Sequence, residues 1–315
     1  MISLLAIILT VLAFLIAATA FVSVIGPVMV LNPRRRGAQY YACQHLPVKP
    51  SDVGLESEAM LLTTDEGYRL YGWFIRAEGE AKGTILYLHG VGDNKMSGLM
   101  LAKLFHDHRF NVVMYDSRAH GESEGRHCTF GYYEKYDVQK AVDWIRNREE
   151  AEGMAPKKIG VFGTSMGAAV AVQAASIEPR LSAVVAEGCF TNLRTITVDY
   201  QKRLLRLPWH FLRNVAMKRA EGIAKFSHHA VSPLKAVPMV HAPILFIHGT
   251  ADARIKHEYS ETLFAAANEP KELFLVEEAN HTDVHQIGKS RYEERIIGFF
   301  ERTLAPSDST PSLLG

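Results

Sequence analysis

The sequence predicts an α/β fold whose mainly parallel sheet is covered by helices on both faces. Short apolar runs, among them TILYLHG and APILFIHG, alternate along the chain with segments of helix length. These runs do not alternate between apolar and polar residues as half-exposed strands do. Such continuous apolar runs are typical of parallel strands buried on both faces. The residues that could take part in catalysis follow the carboxyl ends of the runs, where such sheets place their functional sites.

The predicted domain extends from residue 58 to residue 304. AMLLTTDEGYRLYGWFI predicts two antiparallel strands around a turn at Asp65-Glu66-Gly67. The alternating elements that follow are TILYLHG, a helix near 95–108, NVVMYDSRAHG, a helix near 133–149, IGVFG and its helix, LSAVVAEG, APILFIHG, a helix near 257–268, KELFLVEE and a helix near 287–304. Residues 190–240 interrupt this alternation as a small helical cap. The tail, residues 305–315, has a composition that predicts disorder.

An apolar N-terminal run precedes the domain. It contains 24 residues without a charge, ISLLAIILTVLAFLIAATAFVSVI, and a helix of that length crosses a bilayer. We therefore expect a transmembrane anchor at residues 1–26 and a juxtamembrane basic segment and linker at 27–57. A cleaved signal peptide is the alternative, because TAFVS offers small residues for cleavage. The basic cluster Arg34–Arg36 follows the run and predicts a cytoplasmic catalytic domain by the positive-inside rule.

Composition limits the classes of function. The chain has 315 residues, 48% of them hydrophobic, and a formal net charge of +1. A nearly neutral chain without base-reading motifs predicts no nucleic-acid partner. The three cysteines, Cys43, Cys128 and Cys189, match neither a disulfide framework nor a zinc site and are expected to be free thiols. No H-E-x-x-H spacing and no G-x-G-x-x-G after a strand occurs, so we expect neither a metal nor a nucleotide cofactor.

The pentapeptide GTSMG places Ser165 between Gly163 and Gly167, where an apolar strand gives way to a helix-forming segment. A serine in such a turn projects from the sheet, and unpaired amides at the helix start face any charge that develops beside its oxygen. A capping serine at a glycine-rich helix start is the simpler interpretation of the pentapeptide alone. We expect the amides of Met166 and Val91 to form an oxyanion hole, although HGVG alone is also compatible with a plain glycine turn.

Serine requires a base, and a histidine oriented by a carboxylate is the usual one. Asp252 follows the strand APILFIHG, and His281 follows KELFLVEE, which gives the chain order Ser, Asp, His. Each alone is also compatible with a helix cap or a solvated loop residue. Glu187, which ends another strand, is the alternative acid.

Three other residues near these motifs are weaker candidates. Asp283 is expected to cap the following helix, and His285 lies beside it. Cys189 lacks a glycine-flanked turn, so a buried thiol is expected there rather than a nucleophile.

The chain resembles the α/β-hydrolase superfamily over residues 58–304. The motifs that carry the resemblance are HGVGDN, DSRAHGESEG, GTSMG, SPLKAVPMVHAPILFIHGTADARI and EEANH. The resemblance implies an α/β-hydrolase fold, a Ser165-Asp252-His281 triad and a structural turn at 116–123. Within the superfamily, the layout is most similar to that of membrane-anchored Bem46-like hydrolases. Arg254 and Lys256 follow the acid where relatives often have smaller or apolar residues.

The predicted cap is basic and carries apolar side chains. Its cations are Arg194, Lys202, Arg203, Arg206, Arg213, Lys218, Arg219 and Lys225, and its apolar side chains are Leu204, Leu205, Leu207, Trp209, Phe211 and Leu212. Such a segment is suited to an anionic membrane surface. The alternative is a cap helix whose charged face is exposed to solvent and does not bind a membrane.

These observations favour a membrane-anchored serine hydrolase of carboxylic esters or thioesters, with a small-molecule or lipid ester as substrate. A peptidase or amidase that uses the same triad is the nearest alternative in chemistry. A membrane-tethered scaffold that keeps the fold without turnover is the alternative of another class.

Overall fold

The computed structural model describes residues 3–205 and 210–305, and the strands in this part of the chain form one sheet of eight. The strands are β1 (Glu58–Thr63), β2 (Arg69–Ile75), β3 (Thr84–Leu88), β4 (Asn111–Tyr115), β5 (Ile159–Thr164), β6 (Leu181–Glu187), β7 (Ile244–Gly249) and β8 (Lys271–Val276). Their order is β1-β2-β4-β3-β5-β6-β7-β8. Strand β2 pairs antiparallel with β1 and with β4, and the other pairs of neighbouring strands are parallel. The predicted mainly parallel sheet is confirmed.

Helices follow β3, β4, β5, β7 and β8 at the predicted positions, and further helices lie before β1 and between β6 and β7. They are α1 (Leu4–Leu31), α2 (Ala38–Ala42), α3 (Leu99–Asp107), α4 (Glu134–Ala151), α5 (Met166–Ala175), α6 (Leu193–Leu205), α7 (His210–Ala224), α8 (Pro233–Ala236), α9 (Glu258–Ala266) and α10 (Val284–Leu304). A short 3₁₀ turn at Lys95–Gly98 precedes α3 where the sequence predicted one continuous helix. The predicted tail at 305–315 falls almost wholly outside the described residues.

Two apolar cores flank the sheet. One core packs α4, α5 and α9 against one face, and the other packs α3 and α10 against the opposite face. Strands β3, β4 and β7 are buried over their whole length. This burial explains why they appear in the sequence as unbroken apolar runs.

Helix α1 is long and apolar enough to cross a membrane by length and composition, with a mean hydropathy of 2.8. Its carboxyl-terminal part packs on α7 of the cap. A Cβ atom added to Gly26 would lie only 2.6 Å from the Cβ of Ala216, so glycine allows the two backbones to approach closely at this crossing.

The segment after α1 lies against the sheet domain. The carbonyl of Leu31 accepts a hydrogen bond from the Cys128 amide at 2.8 Å. The guanidinium of Arg35 donates to the carbonyls of Ser123 and Gly125 at 2.7 and 2.9 Å. These bonds fix the end of α1 to the loop that follows β4.

The close approach of α5 to β3 gives a test of stability. A Cβ atom on Gly167 would lie 2.1 Å from the Leu88 carbonyl oxygen, so Gly167→Ala must push α5 away from β3. We expect this change to cost about 2 kcal/mol or more, as overpacking of a core does. Thermal unfolding in detergent micelles measures the loss.

Gly222→Ala in α7 is the matched control, since an added Cβ there meets no atom within 4 Å. Replacement of a helical glycine by alanine should be neutral or should stabilise by up to about 1 kcal/mol. Equal melting temperatures for the two variants would contradict the steric account.

Candidate active site

Ser165 lies in a strained turn between β5 and α5. Its backbone has φ 55° and ψ −113°, a region that residues other than glycine rarely adopt. A Cβ atom on Gly163 would lie 2.2 Å from the Gly167 carbonyl oxygen. The two glycines therefore let α5 leave the strand at a sharp angle, and the turn directs the serine hydroxyl out from the sheet.

The structure brings Ser165, His281 and Asp252 together from three strand ends. His281 Nε2 lies 3.0 Å from Ser165 Oγ, and His281 Nδ1 lies 2.6 Å from Asp252 Oδ2. With the proton on Nδ1 donated to the carboxylate, Nε2 is free to accept the proton of the serine hydroxyl. Ser165 and Asp252 precede His281 in the chain by 116 and 29 positions.

Asp252 is held as a carboxylate. Burial alone would raise its pKa, but hydrogen bonds from His248 and His281 and from backbone amides outweigh burial and hold the pKa well below its usual range. Its Oδ1 accepts the amides of Arg254 and Ile255 at 2.7 and 2.9 Å. The side chains of Arg254 and Lys256 are exposed, so the unusual cations after the acid do not enter its environment.

His248 is a contact of the acid that the sequence analysis did not identify. Its Nε2 lies 3.2 Å from Asp252 Oδ2 and 2.9 Å from the Ile255 carbonyl, while its Nδ1 lies 2.7 Å from Ser260 Oγ. With the ring proton on Nε2, this wholly buried ring contacts the same carboxylate oxygen of Asp252 as His281 does. The signal was present in the string HGTAD, where His248 precedes the acid by four residues.

The expected oxyanion donors, Val91 and Met166, both line a cavity that contains Ser165. A Cβ atom added to Gly90 would lie 3.4 Å from the Ser165 Cβ, which brings the HGVG loop against the serine. Within the described residues, neither the Val91 nor the Met166 amide donates a hydrogen bond to the protein. Both donors are thus available to a negatively charged oxygen.

The Glu187 side chain forms no hydrogen bond with His281. Its Oε2 accepts a hydrogen bond from the Tyr292 hydroxyl at 2.5 Å. Burial raises the pKa of this carboxyl, although the tyrosine hydrogen bond opposes the change. Its backbone carbonyl accepts the Ser165 amide at 2.7 Å, so Glu187 supports the serine turn through its main chain.

The remaining weaker candidates lie apart from the serine–histidine pair. Cys189 is buried, and burial raises the pKa of its thiol, which disfavours a nucleophilic thiolate. Asp283 occupies the N-cap position of α10, but its side chain does not cap the helix as predicted, because the carboxylate accepts the Asn280 amide at 2.5 Å instead. His285 pairs with Glu293 at 2.7 Å. In the described ranges no group of three metal-ligating side chains occurs.

The loop at 116–123 connects several parts of the site. Asp116 accepts the Lys95 amide and ammonium at 2.8 and 2.7 Å, and its carbonyl accepts the Ser123 hydroxyl at 2.6 Å. His89, next to the HGVG glycine, accepts the Ser117 amide on Nε2 at 2.9 Å. These bonds hold the strand end that carries the expected oxyanion donor.

The segment after α1 also reaches the HGVG loop, which the sequence analysis did not predict. Arg36 forms an ion pair with Asp93, and the Arg36 carbonyl accepts the side-chain amide of Asn94 at 2.6 Å. Tyr41 donates to the same Asp93 carboxylate at 3.2 Å. The basic cluster after the apolar helix is therefore attached to the loop beside Ser165.

A cavity of about 620 Å³ opens at Ser165 and has an almost wholly apolar lining. Its size lies in the range typical of small-molecule sites. One wall comes from the cap helices α6 and α7 and another from the carboxyl-terminal part of α1. The side chains of residues 203–209, which include the predicted cations Arg203 and Arg206 and four of the predicted apolar residues, lie outside the described part.

Comparisons with known proteins agree with this architecture. The family described as "Serine aminopeptidase, S33" matches residues 79–232. The uncharacterized protein MT2364 of Mycobacterium tuberculosis is 30% identical over 226 residues, which cover 71% of this chain and 72% of that protein. The alpha/beta hydrolase domain-containing protein WAV2 of Arabidopsis thaliana is 27% identical over 266 residues, covering 81% and 82%. The solved structure of the Pyrococcus furiosus esterase Pf2001 superposes with a TM-score of 0.71 at 24% identity, covering 88% of this chain and 99% of that one.

The hydrogen-bond pattern predicts which carboxylate orients the histidine. Asp252→Asn should reduce kcat for a small acyl ester by about 10³–10⁴-fold, because the amide favours the wrong tautomer of His281. Glu187→Gln should retain most activity, since its side chain contacts Tyr292 instead. Steady-state hydrolysis with both variants, checked for folding by circular dichroism, measures the difference. Near-normal turnover by Asp252→Asn with loss in Glu187→Gln would reverse the assignment.

Proposed function

The chain belongs to the α/β-hydrolase superfamily, and within it we propose a membrane-anchored serine hydrolase that cleaves carboxylic esters or thioesters. One observation carries the proposal. Ser165, His281 and Asp252 form a continuous hydrogen-bonded series, with distances of 3.0 and 2.6 Å, at one end of an apolar cavity. This arrangement is the one that nucleophilic acyl transfer by serine requires.

In the first half of the reaction, Ser165 Oγ attacks the acyl carbon while His281 Nε2 takes the hydroxyl proton. The carbonyl oxygen becomes negatively charged and accepts hydrogen bonds from the Val91 and Met166 amides. The tetrahedral intermediate then collapses, the bond to the alcohol or thiol breaks, and His281 returns the proton to that leaving group. The acyl group remains on Ser165 as an ester.

In the second half, water replaces the leaving group. His281 takes a proton from the water as its oxygen attacks the acyl carbon, and the same amides stabilise the oxyanion again. Collapse breaks the bond to Ser165 Oγ, which recovers its proton from His281, and the carboxylic acid leaves. Asp252 stays ionised throughout, in agreement with its lowered pKa, and stabilises the imidazolium in both halves.

An aminopeptidase is the second candidate, because the matching family is described as "Serine aminopeptidase, S33". Recognition of a peptide's free amino group calls for a carboxylate near the serine. Among the described residues that line the cavity, none is acidic, and the one charged side chain is Arg213. The cavity therefore favours an uncharged apolar acyl group over a peptide amino terminus.

The geometry also favours an enzyme over a scaffold that lacks turnover. A non-glycine residue held at positive φ costs about 1–3 kcal/mol, and such strain is typical of sites whose mechanism requires it. Ser165 adopts this conformation, with its hydroxyl directed at His281. A scaffold has no need for the strained serine, the aligned histidine and the two available amides at once.

We further propose that α1 is a retained anchor, as in Bem46-like hydrolases, and that the catalytic domain is cytoplasmic. The support is the length and hydropathy of α1 together with its packing on α7 at Gly26 and Ala216. A cleaved signal peptide would leave this face of the cap uncovered. The bilayer is then the partner of α1, and Arg34–Arg36 lie on the side that the positive-inside rule assigns to the cytoplasm.

The cap is proposed to contact the membrane surface. It packs against α1, and Lys202, Lys218 and Arg219 are exposed. Each cation near an anionic surface contributes on the order of 1 kcal/mol to binding. The contact supplements the anchor, and high salt should weaken it.

The chemistry can be tested with a small panel of substrates. A fluorophosphonate probe should label the full-length protein, and Ser165→Ala should abolish labelling. We expect hydrolysis of aryl esters and acyl thioesters, with amides and aminoacyl anilides slower by orders of magnitude. Faster cleavage of aminoacyl anilides than of esters would favour the peptidase, and failure to label Ser165 would favour the scaffold.

Orientation can be tested with the native cysteines. Cys43 is exposed just beyond the apolar helix, whereas Cys128 and Cys189 are buried. A membrane-impermeant maleimide should label the protein only after the cells are permeabilised, and Cys43→Ser should remove the label. Labelling in intact cells would mean an exported domain.

Release of the protein from membranes by carbonate, with a mass that lacks the N-terminal run, would mean a cleaved signal peptide.

A further inference from the structure

We propose that α1 is one wall of the acyl-binding pocket as well as an anchor, and that the substrate is a lipid ester or thioester whose long aliphatic chain enters from the bilayer. This inference rests on the proposed function, since it places the carbonyl carbon of that chain at Ser165. The notable feature is that one cavity contains both the serine and residues of the apolar helix.

The contribution of α1 extends along two turns and more. Six residues of α1 between Phe21 and Val30 line the cavity, and at 1.5 Å per residue they extend over about 13 Å of the helix axis. The cap residues that line the same cavity include Leu212 and Met217. The cavity is thus bounded by the first helix and the cap, and Ser165 is part of its lining.

The length of α1 explains how one helix can serve both purposes. Its 28 residues span about 42 Å, whereas the hydrocarbon core of a bilayer is about 30 Å thick. The surplus of about 12 Å equals roughly eight residues. Pro27 and Leu31 are buried in this last third, while the side chains before Phe21 are mostly exposed. The end that packs on the domain is therefore the end that lines the cavity.

Two further features select an aliphatic chain as the occupant. Phe21 is 64% exposed although it lines the cavity, so the wall opens beside the surface that α1 presents to lipid. A water-soluble substrate would have to cross this apolar mouth, whereas an acyl chain in the bilayer already lies next to it. The ion pair of Arg36 with Asp93 attaches the segment after α1 to the residues that follow the HGVG loop.

The test uses the full-length protein in phosphatidylcholine nanodiscs with p-nitrophenyl acetate and p-nitrophenyl hexadecanoate. Val22 lines the cavity, whereas Val24, on the other side of α1, is 63% exposed and lies outside the lining. Val22→Trp should lower kcat/KM for the hexadecanoyl ester about fivefold or more, the usual minimum for extra volume forced into an apolar site. The loss with the acetyl ester should be smaller, so that the ratio of the two rates shifts in favour of the short ester.

Val24→Trp is the matched control and should leave both rates within about twofold of wild type. Met29→Trp, at a lining position, and Val28→Trp, outside the lining, form a second pair if the first variant fails to fold. A folded lining variant that keeps the hexadecanoyl rate, or loses both rates alike, overturns the proposal. Equal loss in a lining variant and its control overturns it as well.

Failure of the proposed function gives a different result. If wild type cleaves neither ester and Ser165 resists a fluorophosphonate, the hydrolase assignment fails. The pocket is then tested by binding in Ser165→Ala, with a hexadecanoyl ester that carries a diazirine at the end of its chain. Photo-adducts at residues 21–30 that Val22→Trp reduces support the acyl-binding wall, and adducts confined to residues 4–20 overturn it.

Discussion

The site depends on how closely α5 passes over the sheet. Without side chains at Gly163 and Gly167, the helix leaves β5 at an angle that puts Ser165 in a conformation with positive φ. The contact distances of 2.2 and 2.1 Å for added Cβ atoms show that any other residue at either position would push the helix away. The strain at Ser165 is sustained because two buried apolar layers fix the strand and helix on either side of it.

Everything else in the site is arranged around that fixed point. The strand ends of β7 and β8 supply Asp252 and His281, and β6 supports the serine turn through the Glu187 carbonyl. Asp252 has both oxygens occupied, one by two backbone amides and the other by two histidines. Its orientation is therefore set by several contacts, which is the condition for a carboxylate to hold one tautomer of a histidine.

The sequence predicted the sheet, the helices between its strands, and the residues that meet at Ser165, because each is marked by a local pattern. Apolar runs, glycines beside a serine and polar residues after strands all depend on neighbours within a few positions. The packing of α1 on α7 has no such mark, since Gly26 and Ala216 are ordinary small residues 190 positions apart that become meaningful only when the helices touch. The contact of Arg36 with Asp93, 57 positions apart, was missed for the same reason.

The pocket wall formed by α1 has a consequence for how substrates would be selected. In the proposed membrane-bound state, an acyl chain moves from lipid into an apolar passage, and this transfer gains little from the hydrophobic effect because lipid tails are as apolar as the lining. Affinity for the chain is then weak, and its main effect is orientation of the carbonyl at Ser165. Free energy that favours reaction must come from groups that act on the transition state, which in the proposed mechanism are the Val91 and Met166 amides and the imidazolium of His281. An enzyme built in this way recognises its substrate chiefly by where the ester lies along the chain.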